Sequence, residues 1–380
     1  MSEPGQMVSH WGSSDRVRDH VMACLESAFI RLAGSDSTSL LKRFFTREVL
    51  EELKMKTTSY GATLLDCIDT GVDNLDLEIG VYALDAECYS VFADLFVPII
   101  EQYHQIETTT MQPGVDNWGP ITDFKDVDPQ GEYVVSTGVK CYRNLKGYPF
   151  SGLMSKPDYD EIETKLSEAL RLLPLQFEGQ LQGTYHSLSG VPANVQTEFI
   201  AENYFKNGKR LVGAAAVAGR RRFWPAGRGV FYNQEKTFML YVGEDDHVTI
   251  MSMQQGGNMG EVLKRLTLAL QHFHHTMEFS TDERFGFLTH CPSNLGQAMQ
   301  AYFEIRVPKL ATDMPKLQEI AAKYDMKIKV EDPNMEGVIE LHNSKGFGRT
   351  EYQSLKMMSL GITEIIEAEK SAPNVDVLQQ

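Results

Sequence analysis

Apolar residues recur three and four apart in DRVRDHVMACLESAFIRL, residues 15–32, and again in VFADLFVPIIEQYH, residues 91–104. That period predicts amphipathic helices over much of residues 16–120. Between them DTGVDNLDLEIG, residues 69–80, is polar and punctuated by glycine, which predicts a loop. TTTMQPGVDNWGPITDF, residues 108–124, is rich in turn formers and marks a domain boundary.

The pattern then changes to alternation. In EYVVSTGVKCY, Val135, Thr137, Val139 and Cys141 share one strand face; Ser136, Gly138, Lys140 and Tyr142 share the other. TFMLYV and HVTIMSM, joined by GEDD, predict a hairpin. In AYFEIRVPKL, Phe303, Ile305 and Val307 oppose Tyr302, Glu304 and Arg306. Helices interrupt the strands. SKPDYDEIETKLSEALRLLP has Ser155 as its cap and a stripe of Ile162, Leu166, Leu170 and Leu173. GEVLKRLTLALQHF follows Gly256, Gly257 and Asn258. The expected fold class is α+β: a small all-helical N-terminal domain and a larger domain with a mostly antiparallel sheet flanked by helices. The expected limits are a flexible N-terminus at 1–20, helical domain at 21–107, linker at 108–124, α+β domain at 125–370 and flexible tail at 371–380.

Composition narrows the partners. The apolar fraction is 42%, enough for a substantial core, and no apolar run reaches membrane-spanning length. MSEPGQMVSHWGSSD has no secretory-signal pattern. Five scattered cysteines without a CxxC predict reduced thiols and a cytoplasmic setting. The formal net charge of −16 disfavours nucleic acid and anionic membranes as partners. Residues 201–230 run against that charge. Lys206, Lys209, Arg210, Arg220, Arg221, Arg222 and Arg228 face a single Glu202. Such a stripe either binds an anionic surface or is a solvated face.

Three histidines, His272, His274 and His275, stand near a helix end. His272 and His275 share a face, but no further ligand lies at a convincing spacing, so a surface helix end is expected and no metal.

Several segments together resemble the phosphagen (guanidino) kinases, most closely the arginine kinases. The carriers are GATLLDCIDTGVDNLD with GVYALDAECY, GYPF, RFWPAGRGVFYN, EDDH, IMSMQQGG, RFGFLTHCPSNLG, VPKL and GRTEYQ, in order over residues 25–370. The resemblance implies the guanidino kinase fold and phosphoryl transfer between MgATP and a guanidine. That reaction requires cations around the phosphates and carboxylates around the guanidine. On the guanidine side, Gly80 and Tyr82 match the specificity loop, Cys291 the reactive cysteine, and Asp245 a catalytic glutamate shortened by one methylene. Leu77 and Glu78 stand where that loop normally has small residues, and Gln297 replaces the Thr or Ser after Asn-Leu-Gly.

The nucleotide side departs from the family. Gly138, Lys140, Thr249 and Gln300 occupy positions of phosphate-clamping arginines. The fifth arginine's loop is shortened to KVEDPNME, with Glu336 the nearby acid. Asn203 and Glu304 replace nucleotide-contacting histidines. The expected function is therefore that of a catalytically inactive homologue, a structural or binding component of a protein complex, with no cofactor. Arg220 and Arg221 are the expected partner contacts, toward an acidic or cytoskeletal surface, with a cytoskeletal or flagellar location fitting that surface. The alternative is an active ATP:guanidino phosphotransferase using MgATP and arginine. Its phosphate site would be rebuilt from Lys140, Arg306 and Arg220–Arg222. A remaining reading places unrelated chemistry at Cys291.

Overall fold

The computed structural model describes residues 11–107, 109, 112–176, 179–192, 223–329 and 337–373. The N-terminal part is helical, as the apolar period predicts: α1 (Trp11–Ala33), α2 (Leu40–Phe44), α3 (Arg47–Leu53), α4 (Leu64–Asp73), α5 (Cys88–Val91) and α6 (Ala93–His104). The first helix begins at Trp11, inside the segment expected to be flexible. No proline or glycine-rich break separates WGSSDR from the packed turns around Leu25, Ala28 and Leu32, so the helix propagates toward the N-terminus. Ser39, Thr46 and Thr63 cap α2, α3 and α4, and Thr63 forms a reciprocal capping box with Asp66.

The larger part is built on one eight-stranded sheet. Its strands are β1 (Val134–Arg143), β2 (Gly183–Ser187), β3 (Gly229–Asn233), β4 (Phe238–Val242), β5 (Val248–Gln255), β8 (Met299–Arg306), β9 (Met326–Lys329) and β10 (Val338–Asn343). Their spatial order is β2-β3-β4-β5-β1-β8-β10-β9, with every neighbouring pair antiparallel. A two-residue pairing joins β6 (Thr281–Asp282) to β7 (Gly286–Phe287).

Among the described residues, four α-helices accompany it: α7 (Lys156–Gln176), α8 (Met259–Thr276), α9 (Met314–Lys323) and α10 (Glu351–Ser371). Helix α8 lies against β1 and β5, and α10 against β8 and β10. The expected α7 stripe is buried, as are Val139, Cys141, Phe303 and Ile305 on the sheet face beneath the helices. The opposite sheet face carries Ser136, Gly138, Lys140 and Tyr142, set by the side-chain alternation of β1 beyond its bulge at Val135.

The two parts share apolar contacts. Phe150, Phe285, Leu288, Leu295 and Phe347 from the larger part belong to the core of the helical part. The segment between the parts is tied down by the buried Glu351, whose carboxylate accepts the Asp116 and Asn117 N–H groups at 3.0 and 2.9 Å.

Candidate functional site

The loop carrying Gly80 and Tyr82 lies between α4 and α5 and docks onto the segment between β7 and Cys291. Gly80 has φ 78°, and Gly71 packs directly on its backbone, so neither position has room for a side chain. Ala83 N–H donates to the His290 carbonyl at 2.8 Å, and His290 Nδ1–H returns a bond to the Ala83 carbonyl at 2.7 Å. The Tyr82 ring stacks on the His290 ring, centroids 5.1 Å apart. Tyr89 Oη donates to the Thr289 carbonyl at 2.7 Å, and His104 Nε2–H to the Pro292 carbonyl at 2.9 Å. Two bonds and a ring stack hold this loop to the segment before Cys291, and α5 and α6 add one bond each around the Cys291 turn.

The EDDH turn divides its acids by role. Asp246 is buried and accepts from Asn144 Nδ2 at 2.7 Å and from the His290 N–H at 2.8 Å. His247 is buried in its neutral form. Its Nδ1 accepts the Leu145 N–H at 2.9 Å and its Nε2–H donates to the Pro149 carbonyl at 2.8 Å, while burial lowers its pKa to about 4. Asp245 is exposed. It reaches Cys291 electrostatically: the half-buried thiol is pushed up to about 11, first by burial and further by Asp245 and Asp246. A hydrogen bond with Ser293 Oγ at 3.0 Å opposes that rise. The thiol at Cys291 is thus protonated at neutral pH.

The face of the sheet opposite the helices gathers the positions implied for phosphate clamping. Strand register places Gly138 opposite Tyr302, Lys140 opposite Gln300, Tyr142 opposite Thr249, and Ser136 opposite Glu304. The Tyr302 ring lies over Gly138. A Cβ at position 138 would sit 2.5 Å from Tyr302 Cε1 and 2.7 Å from its hydroxyl. Lys140 Nζ stands 5.6 Å from the centroid of the same ring. Ser136 Oγ donates to Glu304 at 3.0 Å, and Glu340 of β10 is the cross-strand neighbour of Glu304. Thr249 Oγ1 donates to Glu244 at 3.4 Å. Burial first, then Glu244, Asp246 and Asp245 among its neighbours, raise the Tyr142 phenol. Carboxylates therefore set the local field along much of this face.

Register also separates the cations. Arg306 lies six residues beyond Gln300, the partner of Lys140. At about 3.3 Å per residue, Lys140 and Arg306 are on the order of 20 Å apart along the sheet, too far to grip one phosphoryl group.

Other expected positions divide between described and undescribed residues. Asn203, Arg220, Arg221 and the 330–336 loop with Glu336 lie outside the described residues. Arg228, counted in the basic stripe, is fully buried over the Tyr159 ring at 4.3 Å and donates to the Ala226 carbonyl. His272 is not at the surface as expected. It occupies the buried stripe of α8 and Nε2 bonds the Ala169 carbonyl of α7 at 2.9 Å. His274 pairs with Asp116 at 2.6 Å, and Asp116 with the buried Arg143 at 3.2 Å. Among the described residues no group of three or more His, Cys, Asp or Glu side chains is placed to hold a metal. None of their helices is long and apolar enough to cross a membrane.

A helical domain docked through a glycine loop and a cysteine turn onto an open antiparallel sheet defines the guanidino kinase fold. Residues 161–372 match the model of the ATP:guanido phosphotransferase C-terminal catalytic domain, and residues 35–101 match that of the N-terminal domain. Arginine kinase 1 of Drosophila melanogaster is 44% identical over 357 residues, 92% of this chain and 98% of that one. Arginine kinase of Plodia interpunctella is 45% identical over 352 residues, 91% and 97%. Among solved structures, the substrate-free duplicated taurocyamine kinase from Schistosoma mansoni superposes with a TM-score of 0.83 at 29% identity, covering 92% of this chain and 50% of that one. Lombricine kinase superposes with a TM-score of 0.78 at 26% identity, covering 88% and 93%. The chain belongs to the ATP:guanido phosphotransferase, or phosphagen kinase, family.

Proposed function

We propose that this chain is a phosphagen kinase homologue without useful phosphoryl transfer, acting as a binding or structural component of a protein complex. The observation that carries the reading is the Tyr302 ring over Gly138. Transfer from MgATP has little covalent chemistry for a protein to perform and depends on cations placed around the phosphates. At position 138 a side chain can enter only if the Tyr302 ring shifts. At 249 and 300 the side chains are uncharged, and Glu304 adds a negative charge two residues beyond Tyr302 on the same strand face. Lys140 supplies one point charge without the bidentate fork of arginine. One arginine finger is worth about 10³–10⁵ in rate. Even with strong non-additivity, losing several clamps removes useful turnover. The residues described on this face do not fit MgATP.

A second reading keeps the activity: an ATP:guanidino phosphotransferase with arginine as substrate and a rebuilt phosphate site. Identity of 44% across 92% of the chain to arginine kinases favours it, more directly than it favours a scaffold. So does the docked loop of Gly80 and Tyr82 beside Cys291, which leaves the guanidine side largely assembled. A coupled ADP-release assay with MgATP and arginine separates the two. The scaffold reading expects no arginine-dependent turnover above background. Turnover of about 1 s⁻¹ or more, the low end for kinases, establishes the second.

The partner reading rests on the charge of residues 201–230 against a net charge of −16. A contact at short range survives unfavourable net charge because salt screens beyond about 8–10 Å. Arg220→Glu with Arg221→Glu is expected to release the protein from an acidic partner in pull-downs. Recovery of the same partners by the double variant removes this contact.

A further inference from the structure

The loop that presents Gly80 and Tyr82 is flanked at both ends by a cysteine. Cys67 lies in α4 and Cys88 opens α5; both are fully buried, with sulfurs 3.8 Å apart. Each is bonded into the loop's frame. The Cys67 carbonyl accepts the Tyr82 N–H at 2.9 Å, and the Cys88 sulfur accepts the Leu84 N–H at 3.4 Å. The sulfurs lie about 1.8 Å beyond disulfide bonding distance, each on a short side chain with one rotatable χ1.

We propose that Cys67 and Cys88 are a redox modification site: a peroxide converts them to a disulfide that clamps the specificity loop. One sulfur, as thiolate, attacks a peroxide oxygen. The O–O bond breaks, the leaving hydroxide takes a proton and departs as water, and a sulfenic acid remains. The second sulfur attacks the sulfenyl sulfur, and its proton goes to the departing hydroxide. The S–S bond forms and a second water leaves. Two electrons pass from the two sulfurs to the peroxide.

Burial holds the Cys67 thiol well above its ordinary value, so the closed structure keeps the pair reduced. Reaction occurs from locally opened states of the loop, and the bond then limits that opening. This site does not depend on whether the sheet face binds nucleotide. It concerns the helical part alone.

The test uses the full chain under native conditions with hydrogen peroxide as oxidant. Remaining thiols are then alkylated in denaturant, and the protein is digested without reduction for mass spectrometry. The expected product is a peptide pair joined through Cys67 and Cys88 and separated by dithiothreitol. Amide exchange across residues 74–87 is expected to slow by about tenfold or more in the oxidised protein. Cys67→Val and Cys88→Val are each expected to abolish both effects. The wild-type measurement stands alone if a variant fails to fold. The proposal is overturned if both cysteines are recovered alkylated while Cys291 or Cys24 carries the oxidation. It is overturned equally if the link forms only in unfolded protein, or forms with no change in loop exchange.

Discussion

Gly138 and Tyr302 are cross-strand partners, and the ring of the second fills the side-chain space of the first. Neither substitution can be understood alone. An arginine at 138 and a tyrosine at 302 compete for the same volume, so a clamp at 138 requires a small residue at 302.

That coupling is measurable by thermal unfolding. Gly138→Arg in the wild-type background is expected to destabilise by about 1–3 kcal/mol through overpacking. Combined with Tyr302→Ser, most of that cost should vanish, because the ring no longer blocks the site. Strictly additive effects of the two substitutions would show that the ring moves aside freely.

Acid sensitivity follows from two buried histidines. Burial lowers His104 and His247 from 6.5 to about 4. Between those values the unfolded chain binds protons that the folded chain does not. Stability is therefore full above about pH 6.5 and falls as pH drops toward 4. Each residue accounts for up to about 3 kcal/mol of that loss. His247→Gln, which offers an acceptor and a donor without titrating, is expected to remove one of the two shares from a pH series of denaturant midpoints. An unchanged pH slope would mean that His247 titrates alike in the folded and unfolded chains.

Cys291 is expected to behave as an ordinary protonated thiol. With its pKa pushed up to about 11, the rate of iodoacetamide alkylation should rise about tenfold per pH unit between pH 7 and 9. A plateau near neutrality would reveal an activated thiolate and favour the active-kinase reading.

Much of the fold was legible because local periodicity reports burial. The alternation from Ser136 to Tyr142 and the α7 stripe from Ile162 to Leu173 correspond to the observed faces; at Val135 a bulge breaks the pattern and puts Val134 in the core instead. The site was legible only in part. Gly80, Tyr82, Asp245 and Cys291 sit in continuous motifs, and the structure brings the Tyr82 loop and the Cys291 turn together through His290. The obstruction at Gly138 was not legible, since it depends on which residue of β8 stands opposite, and register is a tertiary property. His272 was misjudged as a surface residue. It falls on the buried stripe with Ala269 and Phe273, and its polar demand is met by a carbonyl of another helix. The two roles in the EDDH turn were hidden as well. Asp246 and His247 are adjacent to Asp245 in sequence but serve the packing against Asn144, Leu145 and His290.

The claim that this sheet face no longer receives nucleotide phosphates is tested most directly by calorimetric titration of MgADP into the full chain at low ionic strength. With Tyr302 over Gly138 and Glu304 beside it, no saturable heat is expected up to millimolar nucleotide, about −4 kcal/mol of binding free energy. A saturable isotherm with a Kd in about the micromolar range, abolished by Lys140→Ala, would contradict it.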